Sequence, residues 1–481
     1  MTYLTKREVN MRSILLIPIF MVAGCITHHA DIQPPVPTLP QDYGVTNPSD
    51  QILQADWWLT FHDELLNQWV QKVLDQNPDL AKAQARLAQI YAEQGIVGAD
   101  RLPQASVGLN ASRRKQNFIG LPIPGSEGQV LSNTSNSDGL SFSVTWEVDL
   151  WGRLADLHQS AKAQVLAGEA DWYGVKLALT AQTVRTYFSL VEAQNLYALA
   201  QRSLKAQQAQ TDWLQQRFNG GLRNGLDLRF AQANLANTNA LISQRKAQVE
   251  RLERSLQVLA GSYPEGEADG LTVFPALPDP VPAGLPAELI SRRPDLVAAD
   301  QRLRASGLQL DAAYKNRYPR LSLSGSYGTS SNELTDLLDG DFSVWSLAAN
   351  LLQPIFQGGR IKAQIAQKQA LRDQAFFDFA SKAFQAYAEV ESTLVSEQLY
   401  RDRLAALDLA FQASKSAYEQ AQDRYRSGLG DYTLVLEAER RFIQTETDWI
   451  MANRTLLENR VQLIMALGGG FPGTSAWAKG E

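Results

Sequence analysis

Cysteine is almost missing from this chain of 481 residues, where Cys25 stands alone. A single thiol excludes an internal disulfide framework and any Cys-rich zinc site. Four His and five Met leave little material for a soft-metal centre, so no metal site is expected. Basic clusters are scarce as well. Lys and Arg number 45 against 51 Asp and Glu, a balance that argues against a nucleic-acid surface. Residues 1–24 hold Lys6, Arg7, Arg12 and Glu8, so without them the formal net charge falls from −6 to −8. A mean hydropathy of −0.25 gives no hint of a membrane. The sequence has no Gly-rich phosphate loop between a strand and a helix, no HExxH pair and no GxSxG elbow. Enzyme chemistry and a cofactor therefore have no visible seat.

What is present begins at the N-terminus. Lys6, Arg7 and Arg12 precede the apolar run Ile14–Val22, and Val22-Ala23-Gly24 leads into Cys25. A basic segment, a short apolar core and small residues describe an export signal over 1–24, with Met1 or Met11 as its start. The apolar run is too short to span a bilayer as a helix. Ending in Cys, the pattern resembles a bacterial lipoprotein box, which implies cleavage before Cys25 and its acylation. Ile26 replaces the Asp associated with inner-membrane retention, so the outer membrane is the expected destination. Residues 25–56, rich in Pro, Gln and Thr, read as a lipid-anchored tether.

The rest of the chain repeats itself. Asn77-Pro78-Asp79-Leu80 returns as Arg293-Pro294-Asp295-Leu296, and Leu102-Pro103-Gln104 as Tyr318-Pro319-Arg320, both 216 residues on. Gly152-Arg153 returns as Gly359-Arg360, Arg217-Phe218 as Arg424-Tyr425, and Gly221-Leu222 as Gly428-Leu429, now 207 residues on. One first-half loop is therefore expected to be nine residues longer. The repeats run over 57–260 and 287–468, with a Pro/Gly-rich linker at 261–286 and a tail at 469–481.

Each repeat holds two alternating stretches of about ten residues. In one, Leu140, Phe142, Val144, Trp146, Val148 and Leu150 alternate with Ser141, Ser143, Thr145, Glu147 and Asp149. Similar alternation runs over 103–112, 321–327 and 342–353, and ten residues is the length a tilted strand needs to cross a bilayer. Long proline-free stretches, about Leu154–Phe218 and Ile361–Arg426, predict helices on the order of 100 Å at ~1.5 Å per residue. Shorter helices are expected over Pro78–Arg101, Asp227–Leu259, Pro294–Arg317 and Thr433–Ala466, stacked in pairs along the long ones. Four strands cannot close in lipid, where an open edge leaves backbone groups unpaired. Three copies supply twelve strands and twelve helix columns. The expected architecture is an α+β membrane protein: a trimeric 12-stranded β-barrel, four strands per chain, continued by a long periplasmic α-helical barrel.

Several motifs now stand in a recognisable order. Trp57-Trp58-Leu59-Thr60-Phe61-His62-Asp63, Trp146-Glu147-Val148-Asp149-Leu150-Trp151-Gly152-Arg153, Arg292-Arg293-Pro294-Asp295-Leu296, Pro354-Ile355-Phe356-Gln357-Gly358-Gly359-Arg360 and Ala466-Leu467-Gly468-Gly469-Gly470 span about residues 50–470. Together they resemble the NodT-type outer membrane factor family of TolC-like proteins. The resemblance implies a homotrimeric outer-membrane duct serving a periplasmic adaptor and an inner-membrane RND-type pump in small-molecule efflux. Protein or peptide secretion through the same duct, and a lipid-anchored coiled-coil scaffold without a pore, are the alternatives. Relatives carry Asp-Asn after Gly-Val at the second tip, whereas this chain has Gly428-Leu429-Gly430-Asp431.

Candidate site residues follow. Cys25 is the expected lipidation site. Gly221, Leu222, Gly428 and Leu429 sit in tight helical hairpins and would offer backbone and apolar side chains to an adaptor. Tyr425, Leu429 and Asp431 would form a gate at the periplasmic tip. Asn224, Asp227 or Asp431 would cap the helices that follow. Glu147 and Asp149, on the wet side of a strand, would tint the lumen negative. Trp57 and Trp58 read as packing residues; His28, His29, His62 and His158 read as solvated.

Overall fold

The computed structural model describes residues 54–118, 130–222, 224–266, 273–281 and 288–471, all within one unit, Leu39–Glu481. Cys25, the signal, most of the tether, His28, His29 and residues 472–481 of the tail lie outside the described residues.

A 3-10 turn, Trp57–Phe61, opens the fold. Helix α1 (Glu64–Gln76) follows, then α2 (Pro78–Ala99). Strands β1 (Gln104–Phe118) and β2 (Leu131–Val148) form a hairpin, and α3 (Arg153–Asn219) and α4 (Gly225–Leu259) complete the first half. The second half contains α5 (Leu289–Arg292), α6 (Pro294–Lys315), β3 (Arg320–Thr329), β4 (Ser343–Leu352), α7 (Arg360–Arg426) and α8 (Tyr432–Ala466). Corresponding helices match in length: α2 and α6 have 22 residues each, α3 and α7 have 67, and α4 and α8 have 35.

The long helices are amphipathic only locally, so packing rather than helix propensity holds them. Helix α3 lies against α2, α4, α6 and α8, while α7 packs on α6 and α8. The largest buried cluster joins the opening turn, α1, α3, α7 and α8 through Trp57, Phe61, Leu66, Val184, Phe188, Val390 and Val461. The first motif thus has a structural reason. Trp57 and Trp58 are buried, Phe61 meets Phe188 edge-on at 5.3 Å, and Asp63 caps α1 by accepting from Leu65 and Leu66 N–H. Asp63 also accepts from Tyr187 Oη at 2.6 Å, which, after burial, drives the phenol's pKa further up.

The motif opening each half caps its helix differently. Asn77 accepts from Asp79 and Leu80 N–H at 2.8 and 3.1 Å. At the repeat position, Arg293 instead bonds Asp295, Glu389 and the Ala466 carbonyl. The terminal glycines are imposed by contact. Gly468 has φ of +94°, and a Cβ there would lie 2.1 Å from the Arg292 carbonyl oxygen.

Two expectations need correction. The first-half strands have 15 and 18 residues rather than about ten, because pairing continues beyond the alternating stretches through 113–118 and 131–139. The nine-residue difference is also a net value. The first hairpin, 104–148, is twelve residues longer than the second, 320–352, while the turn before the long helix is three shorter, 149–152 against 353–359. The described part of the linker between the two halves is strapped down on the core. Phe274, Leu277 and Val281 pack on the main cluster, and the carbonyls of Pro278 and Asp279 accept from Arg460 at 2.8 and 2.5 Å.

Candidate functional site

The sheet runs β1-β2-β3-β4, antiparallel throughout, so β1 and β4 are its edges. The register places Val107, Phe142, Tyr327 and Trp345 in one row across all four strands. Period-2 geometry puts Leu109, Leu140, Val144, Leu323, Leu347 and Leu351 on that same face. None of these residues is buried: Val107, Tyr327, Trp345, Leu347 and Leu351 are 71, 63, 76, 82 and 64% exposed, and Leu140, Val144 and Leu323 are half-buried. The opposite face carries hydroxyls, with Ser106 bonded to Ser143 at 2.9 Å and Ser326 to Ser346 at 2.8 Å. Aromatics stand at two levels of the sheet: Phe142, Tyr327 and Trp345 in one row, and Trp146, Trp151 and Tyr318 beside the helices, with Trp151 and Tyr318 in ring contact at 5.1 Å. Within β2 the outward apolar residues run from Val148 to Leu140; at ~3.3 Å per residue and a tilt of about 40°, those eight steps span roughly 20 Å, on the order of the apolar height of a membrane barrel.

Glu147 and Asp149 turn out to be engaged. Glu147 lies on the wet face opposite Ser322 but forms an ion pair with Arg153 at 2.7 Å. Asp149 falls beyond the end of β2, and its carboxylate accepts from Ala155 N–H at 2.7 Å, satisfying a free donor at the start of α3. The structural work of these acids is to join sheet to helix.

At the far end of the helices, the two tips share one geometry. Gly221 and Gly428 take φ of +69° and +78°. Leu222 N–H reaches the Arg217 carbonyl at 2.9 Å, and Leu429 N–H reaches that of Arg424 at 2.8 Å. These are Schellman endings, in which glycine removes the cost of the left-handed residue. Each then presents its leucine to solvent, Leu222 at 64% and Leu429 at 71% exposure. The cap assignments divide. Asn224 accepts from Asp227 N–H at 3.1 Å, whereas Asp431 occupies the cap position without a side-chain capping bond.

Tyr425 is buried within the chain, at 1% exposure. It packs with Trp213 and Tyr432, at ring separations of 5.8 and 5.3 Å, and donates from Oη to Asp227 Oδ2 at 2.9 Å. This bond ties the second hairpin to the first, and periodicity could not show it because 198 residues separate the partners. Above it, Glu439 of α8 accepts from Gln207 of α3 and Asn234 of α4 at 3.1 and 3.3 Å. Burial raises the Glu439 pKa, and these two amides only partly oppose it. His158 is bonded to Gln94 and Arg101 rather than solvated, and desolvation, Lys162 and Arg101 lower its pKa. Among the described residues, no helix is long and apolar enough to cross a membrane, which says nothing of a barrel.

An uncovered sheet with one apolar and one hydroxyl face, set on helices of 67 residues, defines an outer-membrane channel protein. The family model for outer membrane efflux proteins matches residues 69–262 and 285–469, and the chain belongs to that family. It is 31% identical over 418 residues to Outer membrane protein OprJ of Pseudomonas aeruginosa, covering 86% of each chain. It is 25% identical over 459 residues to the Probable outer membrane lipoprotein SilC of Salmonella typhimurium, covering 94% of this chain and 97% of SilC. Among solved structures, the Campylobacter jejuni CmeC outer membrane channel superposes with a TM-score of 0.85 at 25% identity, over 94% of this chain and 97% of CmeC.

Proposed function

We propose that three copies of this chain form the exit duct of a tripartite efflux system, joined by a periplasmic adaptor to an inner-membrane RND-type pump. The observation that carries the reading is the apolar row Val107–Phe142–Tyr327–Trp345, exposed on a sheet with two open edges. In lipid those edges must pair, and other copies supply the strands. The cargo is drugs or other small molecules. Lipidation at Cys25, after removal of 1–24, anchors the tether 25–56. Leu222 and Leu429, beside Gly221 and Gly428, dock the adaptor. Asp431, free of a capping bond, contributes an acid at the tip, where Tyr425 and Leu429 hold the closed state. Duct opening moves the α7–α8 hairpin outward and breaks the Tyr425–Asp227 bond.

The purified protein in lipid is expected to run as a trimer and conduct ions, more so after Asp431→Ala. A monomer without conductance in either form would overturn the proposal. Cys25→Ser is expected to abolish labelling by a fatty-acid probe in cells, and unchanged labelling would remove the anchor.

A further inference from the structure

The extra length of the first hairpin is not neutral in charge. Strand β3 is paired with β2 only from Ser141 to Val148, with one further bridge at Asp138. Beyond it, residues 112–118 and 131–137 project as a two-stranded ribbon. The ribbon carries Arg113, Arg114 and Lys115, all exposed and opposite Asn136, Ser135 and Thr134. Among its described residues and the bridge below, Asp138 is the one acid; it sits opposite Ala111, on the outward face one step below Arg113.

The register has no bulge from Gln104 to Phe118, so period 2 holds along the strand. Arg113 and Lys115 therefore share the face of Val107, Leu109 and Ala111, while Arg114 shares that of Ser106 and Ser112. Arg113 is the first outward residue past Ala111, and Lys115 the next. At ~3.4 Å per residue and a tilt of about 40°, their backbones stand roughly 10 and 16 Å above Leu109, the last large apolar residue of the strand. The polar layer of a bilayer, about 5–7 Å on each side, lies just below them, within reach of side chains that bend back toward it. The helices leave the opposite end of the sheet, so this is the layer of the outer leaflet. Long cationic side chains can lay their stems along the apolar band and keep their heads in the headgroups.

We propose that Arg113 and Lys115 bind the phosphate groups of phosphorylated lipid headgroups in the outer leaflet. The proposal rests on the membrane-duct reading. It concerns the outward face alone, since Arg114 carries the same charge one residue away on the lumen side. Each copy presents one such pair beside its own apolar band.

The test uses the full chain in phosphatidylcholine vesicles containing lipid A or its phosphatase-treated form, with bound glycolipid counted by native mass spectrometry and ion current recorded in parallel. A cation near an anionic surface changes binding about fivefold, so R113Q/K115Q is expected to weaken retention of lipid A roughly 25-fold. R114Q should leave retention unchanged and alter ion selectivity instead. Equal retention of phosphorylated and dephosphorylated lipid by a conducting wild type would overturn the headgroup site and leave the duct standing. An equal loss in R114Q would overturn it too, by showing diffuse charge attraction. Absence of current in every form would instead strike the duct reading.

Discussion

Replacing Tyr425 by Phe removes one oxygen from the tip and leaves its packing in place. The ring stays against Trp213 and Tyr432, and what is lost is the 2.9 Å bond to Asp227. A hydrogen bond to a charged partner contributes about 1.5–3 kcal/mol, and Asp227 is only half-buried, so the lower end applies. About 1.5 kcal/mol shifts the balance between closed and open tips roughly tenfold toward open. D227N should do less, because its amide oxygen still accepts from the phenol. The assay is the open probability of the purified protein in a planar bilayer, with melting temperature measured alongside. Since Tyr425 lies at one end of very long helices, Y425F should raise open probability with little change in melting. Wild-type open probability in Y425F, with a change only in D227N, would refute the argument: the carboxylate would then act through another partner.

Further outcomes follow from the buried polar groups and the terminal glycines. Arg460, with no side-chain exposure, bonds Glu397 and two strap carbonyls, so R460Q should cost about 3–5 kcal/mol by denaturant titration and expose the strap to protease. Burial alone would raise the Glu397 pKa, but Arg460 and Arg401 override it and hold it low. That contribution is present above the ordinary carboxylate range and lost as pH falls through the depressed value, so wild type and R460Q should converge in acid. Glu439 is the opposite case, because burial raises its pKa and its charge weakens the folded tip. The advantage of E439Q in melting temperature should therefore grow as pH rises through the raised value and vanish in acid; a gap independent of pH would refute this. G468A should destabilise by at least about 2 kcal/mol, combining a left-handed φ with contact against the Arg292 carbonyl.

The local grammar of this protein was legible in one dimension. Proline-free length located the long helices within a residue or two, since glycines stand at or beside both of their ends. Alternation identified the strands and their two faces, and equal spacing pointed to two halves whose corresponding helices match in length. Alternation did not show where pairing stops. The Ser- and Asn-rich stretch 131–139 looks like loop, but it extends β2 because the partner strand supplies its backbone bonds. The roles of the polar residues escaped for a related reason. Glu147 and Asp149 have the pattern of lumen acids, yet the nearby start of α3 draws one to Arg153 and the other to a free backbone donor. Tyr425, Asp227, Glu439 and Arg460 each meet partners far away in sequence, and no local spacing encodes such a meeting. Sequence by itself determined the elements, because helix and strand periods are properties of neighbouring residues. Tertiary structure decided which polar groups face water and which tie hairpin to hairpin, because burial and partnership depend on how distant segments pack.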